Sequence, residues 1–402
     1  MRPIKKLVVT SGNLKVGELA EGSKRQIGFQ YSKDWLEKGY SLSPLRLPFD
    51  GLVHIADTKL FGGLYGVFAD SLPDGWGLLL MDRFFKKNGM ERSEIGALDR
   101  LAYIGTRAMG ALEYHPETRY HKSTTADLSA LSESARKLIE GDAEDVLDEL
   151  MIVGGSPGGA RPKVTVAFST DFSQCISGVD AIPDNYSHWM VKFHAKNDNQ
   201  YSGVIEKIYA DIARLAGLDM PETRLVDVGA NRFFAVQRFD RVVNVKKHIL
   251  TLASFMHADY RSPSMDYDGV LGATGWLTKN VNEIVMAYRL AVFNVVSGNK
   301  DDHIKNFSFM MDANWRLSPA YDLTLSDDLR EHTTSMMGSG LPTKKEMDKL
   351  ASMHGITNAA EIQCQVREAL SQWRVMSLSL LPAKVSQEYS GKLAKIDKRV
   401  FG

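Results

Sequence analysis

Apolar residues change their spacing along this chain, and the changes mark its elements. Over the first fifty residues the apolar runs are short and punctuated. Residues 7–9 and 28–31 read as strands, with Gly12-Asn13 and Glu21-Gly22 as turns. From Pro73-Asp74 the spacing becomes helical: Trp76, Leu79, Leu80 and Phe84 recur on one stripe and Gly89 is the stop. Residues 118–142 are polar with helical traces, and suit either a domain boundary or an amphipathic surface helix.

From Leu150 strand signals cluster. Residues 164–168 form one. Residues 188–193 form another, with Trp189, Val191 and Phe193 on one face and His188, Met190 and Lys192 on the other. A helix follows, with Ser202 as its N-cap candidate, Ile205, Ile208, Ile212 and Leu215 as its stripe, and Gly217 past its end. Residues 224–228 and 232–237 flank Gly229-Ala230-Asn231 as a hairpin. After Arg241 the chain is mostly helical. Residues 281–296 are apolar nearly all round, which predicts a buried central helix. Thr343-Lys344-Lys345-Glu346 and Asn358-Ala359-Ala360-Glu361 read as capping boxes of two later helices. The fold class expected is α+β and bilobal, with a sheet-rich N-terminal lobe and a helical C-terminal lobe. The expected segments are 1–110, 111–240 and 241–402.

Charge narrows the function. Lys and Arg total 49 and so do Asp and Glu, which disfavours a broad nucleic-acid face. Cys175 and Cys364 are isolated, so neither a disulfide framework nor a zinc site is expected. No apolar run reaches the roughly 18 residues of a membrane span, and no signal-peptide pattern opens the chain. The expectation is a cytoplasmic protein that does not engage a membrane.

The chemistry concentrates in Asp301-Asp302-His303-Ile304-Lys305-Asn306, followed sixteen residues later by Asp322. An Asp with an Asn five positions on is the spacing of a kinase catalytic loop. Asp301 is the candidate base, with Asn306 and Asp322 the candidate magnesium ligands. Asp302 competes for the base role but lacks the five-residue offset. His303 is expected to make an orienting hydrogen bond. Upstream, Gly154-Gly155-Ser156-Pro157-Gly158-Gly159-Ala160-Arg161-Pro162-Lys163 opens onto a strand. Glycines let backbone N–H groups approach phosphate, and Arg161 and Lys163 add positive charge, whereas a plain long turn is the bland alternative. Lys192 lies inside an apolar strand and is expected to grip ATP phosphates, with Glu206 on the next helix as its partner. Gln237-Arg238-Phe239-Asp240-Arg241 is the expected hinge, with Phe239 on the adenine and Asp240 at the ribose; the alternative is a strand end with internal ion pairs. These signals occur in the order of a kinase, and their conjunction is far less probable by chance than any one of them.

Four of these stretches, Ser156-Pro157-Gly158-Gly159-Ala160-Arg161-Pro162-Lys163, Arg238-Phe239-Asp240-Arg241, Asp301-x-His303-x-Lys305-Asn306 and Pro319-Ala320-Tyr321-Asp322, resemble the HipA family of bacterial serine/threonine kinases. So does Leu72-Pro73-Asp74-Gly75-Trp76-Gly77. The resemblance implies a toxin of a toxin–antitoxin module that uses ATP and magnesium. It implies a small helix-turn-helix antitoxin of the HipB kind, operator DNA bound through that partner, and a protein substrate such as an aminoacyl-tRNA synthetase. It implies autophosphorylation at Ser156, which ejects the glycine loop. It also places Gly158, Gly159, Ala160, Arg161, Lys163, Lys192, Glu206, Gln237, Phe239, Asp240, His303 and Lys305 around the nucleotide. The same loop chemistry suits a small-molecule hydroxyl, and a catalytically silent co-repressor is the reading from another class.

Overall fold

A computed structural model describes residues 3–23, 26–56, 60–118, 126–140, 148–155, 158–195 and 198–402. The chain forms two compact units. The first comprises residues 1–200, 226–250 and 254–257; the second comprises 201–225, 251–253 and 258–402.

The first unit carries two five-stranded sheets. In the N-terminal sheet, Lys6–Ser11, Leu14–Glu21 and Ile27–Tyr31 run as an antiparallel meander, with His54–Ile55 on one edge and Leu112–His115 on the other. The turn at Gly12 needs its positive φ of 56°. Leu7, Val9 and Phe29 are buried with period-two alternation, and Val16 and Leu19, three apart on one strand, are both buried where the register shifts opposite Val9 and Thr10.

The second sheet has the order Cys175–Ser177, Lys163–Ser169, Tyr186–Lys192, Asn231–Gln237, Thr223–Val228. One face is dry: Val164, Val166, Phe168, Trp189, Val191, Phe193, Phe233 and Ala235 form a core with residues of helices Gly75–Lys87, Leu128–Glu140 and Asp148–Val153. The expected stripe of the first of these helices is right at Trp76, Leu80 and Phe84, but Leu79 is 42% exposed. Met81 and Phe85 take the inward positions instead. Of residues 118–142, which by sequence suit either a boundary or an amphipathic surface helix, the described part forms the helix Leu128–Glu140, with Leu131, Ala135 and Leu138 turned into the core; 119–125 and 141–142 lie outside the described residues.

The second unit is built on Val281–Ser297, whose residues from Ala287 onward are nearly all buried while Val281 at its start is exposed. Helix Ser202–Leu215 belongs here, not with the sheet that precedes it in the chain. Its Tyr209 packs on Trp373 at 5.1 Å between ring centroids, and the Tyr209 hydroxyl donates to the Ser297 carbonyl. The compact division therefore departs from the expected boundary after residue 240. Tyr201, not Ser202, precedes the first helical residue, and no side chain caps it. Thr343 and Glu346 form the expected capping box. Asn358 precedes helix Ala359–Ser371 without capping it, because its backbone (φ −98°, ψ 25°) is not in the extended conformation that aims a cap side chain. No helix among the described residues is long and apolar enough to cross a membrane.

Candidate active site

In the second unit, the loop carrying the candidate base begins where Val281–Ser297 stops. Gly298 ends that helix at φ 74°, its N–H bonded to the Asn294 carbonyl. A β-carbon there would come 2.6 Å from Ile396 Cδ1 and 2.8 Å from Leu325 Cδ1. Beyond it, Asp301 and Asp302 take opposite directions. Asp302 is 1% exposed. Its carboxylate accepts from the Tyr267 hydroxyl at 2.7 Å, from His332 Nδ1 at 2.8 Å and from the Thr334 N–H at 3.1 Å. Tyr267 in turn accepts from Asn294 Nδ2, and Asn299 Nδ2 reaches Asn294 Oδ1. Asp302 is thus the anchor of a buried polar chain, its carboxylate held by three protein donors and shut away from a substrate hydroxyl.

Asp301 points the other way, with 61% of its side chain exposed. Its pKa is nonetheless raised above the ordinary 3.8. The surrounding protein disfavours the charge first, His303 acts in the opposite sense, and the carboxylates of Asp322, Asp328 and Asp302 add to the rise. The expected orienting hydrogen bond from His303 is not made. Its Nε2 lies 3.9 Å from Asp301 Oδ1, and the ring packs against Tyr260. Lys305 also uses Tyr260, with its ammonium 4.8 Å from the ring centre.

Asn306 closes the single 3-10 turn Ile304–Asn306, and its Nδ2 donates to the Asp301 carbonyl at 2.9 Å. Only the nitrogen end of the amide can make that bond, so Oδ1 is the atom left to bind a cation. Asp322 is delivered by the hairpin Ser308–Met311 and Trp315–Leu317. The Tyr321 hydroxyl donates to the Lys305 carbonyl at 2.8 Å and meets Ser308 Oγ at 2.5 Å, tying this segment to the Asn306 turn. Asp322 itself has φ 54°, a left-handed conformation that costs an L-residue about 1–3 kcal/mol and is typically retained where a side chain must be aimed. Among the described residues no three His, Cys, Asp or Glu side chains converge as a metal set. The donors present fit magnesium all the same, since that ion is usually held by one or two protein oxygens with substrate phosphates completing the shell.

In the first unit, strand register brings Lys163 directly opposite Lys192. Like charges facing each other across a strand pair are destabilising unless something negative lies near them. Lys163 is 4% exposed, and its Nζ lies 2.5 Å from where a β-carbon on Gly159 would stand, so the ammonium lies against the glycine turn. Lys192 Nζ is 5.6 Å from the centre of the Phe234 ring. Arg161 bridges to Asp198 at 3.2 Å, a partner the sequence reading missed. The glycines divide by job. Gly154 and Gly155 are packing glycines: a β-carbon on Gly155 would lie 2.4 Å from the Met151 carbonyl, and one on Gly154 would lie 2.8 Å from Leu80 Cδ1. Gly159 has φ 93° and forms the turn. Gly158 is half-buried and Ala160 exposed; Ser156 lies outside the described residues. Glu206, in the second unit, is 5% exposed near the start of its helix.

The hinge segment is where the structure corrects the sequence reading most. Gln237 ends its strand in register with Trp189, and Phe239 is half-buried. Asp240, expected at the ribose, is 1% exposed and committed elsewhere. Its oxygens accept from Arg238 Nε and Nη2, from Arg241 Nη1 and from the Gly110 N–H at 2.7–2.9 Å. Burial opposes its charge, but the two guanidiniums outweigh burial and hold the carboxyl well below the usual range. This is the internal ion-pair arrangement that was the alternative. A cavity of about 230 Å³ near this cluster is walled by Arg107, Thr165, His188, Arg238, Arg241 and Lys246 among others. Its cations are already matched: Arg107 donates to the Ile152 and Tyr103 carbonyls, and Lys246 to the Thr106 carbonyl and Glu113.

Known proteins resemble this chain in sequence and fold. Residues 7–115 match the HipA N-terminal domain and residues 155–374 the HipA-like C-terminal domain. The chain is 25% identical over 349 residues to the serine/threonine-protein kinase toxin HipA of Shewanella oneidensis, covering 79% of this chain and 74% of that one. It is 31% identical over 207 residues to a putative kinase, Y4dM, of Sinorhizobium fredii, covering 46% and 50%. Its fold matches HipA in the Shewanella oneidensis complex of HipA, HipB and operator DNA, with a TM-score of 0.73 at 19% identity, over 98% of this chain and 97% of that one. The α+β, kinase-like class expected from the sequence is the class found. With its C-terminal domain match alone spanning more than half of the 402 residues, this chain belongs to the HipA family.

Proposed function

We propose that this protein is an ATP- and magnesium-dependent serine/threonine protein kinase, and the toxin of a toxin–antitoxin pair. The observation that carries the reading is the division of labour at the loop. Asp302 is buried and held by three donors, Asp301 is turned outward with a raised pKa, and Asn306 spends its nitrogen on the loop and keeps its oxygen. In this reading Asp301 accepts the proton of the substrate hydroxyl, and Asn306 Oδ1 and the Asp322 carboxylate hold the metal. Magnesium, when bound with the nucleotide, neutralises phosphate charge. Lys163 and Lys192 take the phosphates. Lys305 and Glu206 serve the same nucleotide, and Gln237 and Phe239 the adenine.

In the Shewanella oneidensis structure, HipA stands in one complex with HipB and operator DNA. We infer the same kind of partnership here: a small helix-turn-helix antitoxin carries the DNA contacts, which agrees with a net charge of zero on this chain. Autophosphorylation at Ser156 and a translation component as target, such as an aminoacyl-tRNA synthetase, complete the proposal.

The test is transfer of labelled phosphate from ATP to protein in the presence of magnesium. Asp301→Ala should lose on the order of 10²-fold or more in rate, as expected for a removed general base, with its circular dichroism unchanged. Equal labelling by that variant would refute the assignment. Mass spectrometry of the labelled protein locates the autophosphorylated residue.

A further inference from the structure

The segment Asp74-Gly75-Trp76 lies about eighty residues before the glycine turn in sequence and against it in space, within the first unit. Three hydrogen bonds join them. The Gly159 N–H donates to Asp74 Oδ1. The Trp76 N–H donates to the Gly159 carbonyl at 3.0 Å. The Trp76 indole Nε1 donates to the Lys163 carbonyl at 3.1 Å. Both ends of the turn, residue 159 and residue 163, are thereby fixed to one short segment. Steric fit is equally close. A β-carbon on Gly75 would lie 2.7 Å from Ala160 Cα and 2.7 Å from the Gly159 carbonyl oxygen, and Gly75 has φ 43°. All of those neighbours are backbone, which cannot swing aside as a side chain can. Trp76 is 3% exposed and shares the core with Val164 and Val166 of the following strand, so the clasp has a rigid base.

We propose that Asp74 is a positioning residue for nucleotide binding. Its carboxylate holds the Gly159 peptide so that the turn and the Lys163 ammonium beside it present a preformed anion cradle. A glycine-rich turn left to itself populates many conformations, and selecting one lowers apparent affinity by the fraction that is competent. The clasp removes that loss. The N-terminal domain thus sets the affinity of the ATP loop, and anything that displaces residues 74–76 loosens the nucleotide. This inference rests on the reading that the turn and Lys192 hold ATP.

The test is calorimetric titration of the full chain with ATP and magnesium. Asp74→Ala should weaken binding by roughly tenfold or more, the equivalent of ~1.4 kcal/mol. Asp74→Asn keeps an oxygen acceptor and should recover most of the affinity. Gly75→Ala, which pushes on the turn without removing a charge, should weaken binding in the same sense. Leu19→Ala, in the N-terminal sheet, controls for stability: it should lower the melting temperature and leave ATP affinity alone. Unchanged or tighter binding by Asp74→Ala overturns the proposal, as does equal weakening by Leu19→Ala. Lys192→Ala separates the two readings. If wild type binds ATP and Lys192→Ala does not, while Asp74→Ala binds normally, the clasp is refuted and the kinase reading stands; if wild type fails to bind, the kinase reading falls first.

Discussion

Asp301 and Asp302 are neighbours in the chain and opposites in environment. Asp302 gives its charge to three buried donors, and Asp301 keeps its charge near other carboxylates. Their removal should therefore have opposite effects on stability. Asp302→Ala strips partners from Tyr267, His332 and Thr334 and should cost about 2–4 kcal/mol in urea unfolding, because buried donors are left unsatisfied. Asp301→Asn should stabilise the metal-free protein at neutral pH. The sign follows from linkage: the folded pKa of Asp301 lies above its unfolded value, so its ionisation works against folding. That cost is present above the folded pKa and disappears as pH falls through it, so the advantage of the variant should vanish in acid. A destabilised Asp301→Asn at neutral pH would contradict the raised pKa. The five-residue offset from Asp301 to Asn306 was legible from spacing. The choice of Asp301 over Asp302 acquired its physical reason only when burial showed which carboxylate was enclosed by donors.

At the scale of elements, local signals succeed where the partner is local. Thr343 and Glu346 are three residues apart, and the Glu346 carboxylate reaches back to accept from the Thr343 N–H and hydroxyl, as their spacing predicts. Asn358 and Glu361 have the same spacing but no cap, because the chain enters that helix from a non-extended backbone. Thr343→Ala should thus cost about 1 kcal/mol of stability, and Asn358→Ala only a few tenths. Equal losses measured by chemical denaturation would show that the backbone entry angle is not what separates the two. The helix Ser202–Leu215 teaches the complementary lesson. Its apolar stripe and the glycine at 217 were readable, but an apolar stripe does not name the surface it will cover. Trp373, more than 150 residues on, is one of its partners.

For the molecule as a whole, acid stability depends on buried imidazoles that the sequence could not distinguish from surface ones. Burial first, and then the Arg238 and Arg241 charges, lower His188 to about 4. Burial alone lowers His248 to about 4 against its bond to the Leu42 carbonyl. Both folded values lie below the ordinary 6.5, so the unfolded chain binds more protons between those limits. Stability should be fully present above pH ~6.5 and fall as pH drops toward ~4, by up to about 2–3 kcal/mol for each group. Gln at both positions should flatten the slope of unfolding free energy across that window. A slope unaltered by the double substitution would place the acid sensitivity elsewhere. The sequence by itself determined the element types, the order of the chemical motifs and the family they belong to, because these depend on spacing and residue type over a few turns. Tertiary structure alone decided that Asp240 is sealed among arginines, that Lys163 faces Lys192 across two strands, and that Asp74 holds the glycine turn. Those facts depend on register, burial and contacts between residues far apart in the chain, where charge and hydrogen-bond satisfaction are settled by what the fold brings together.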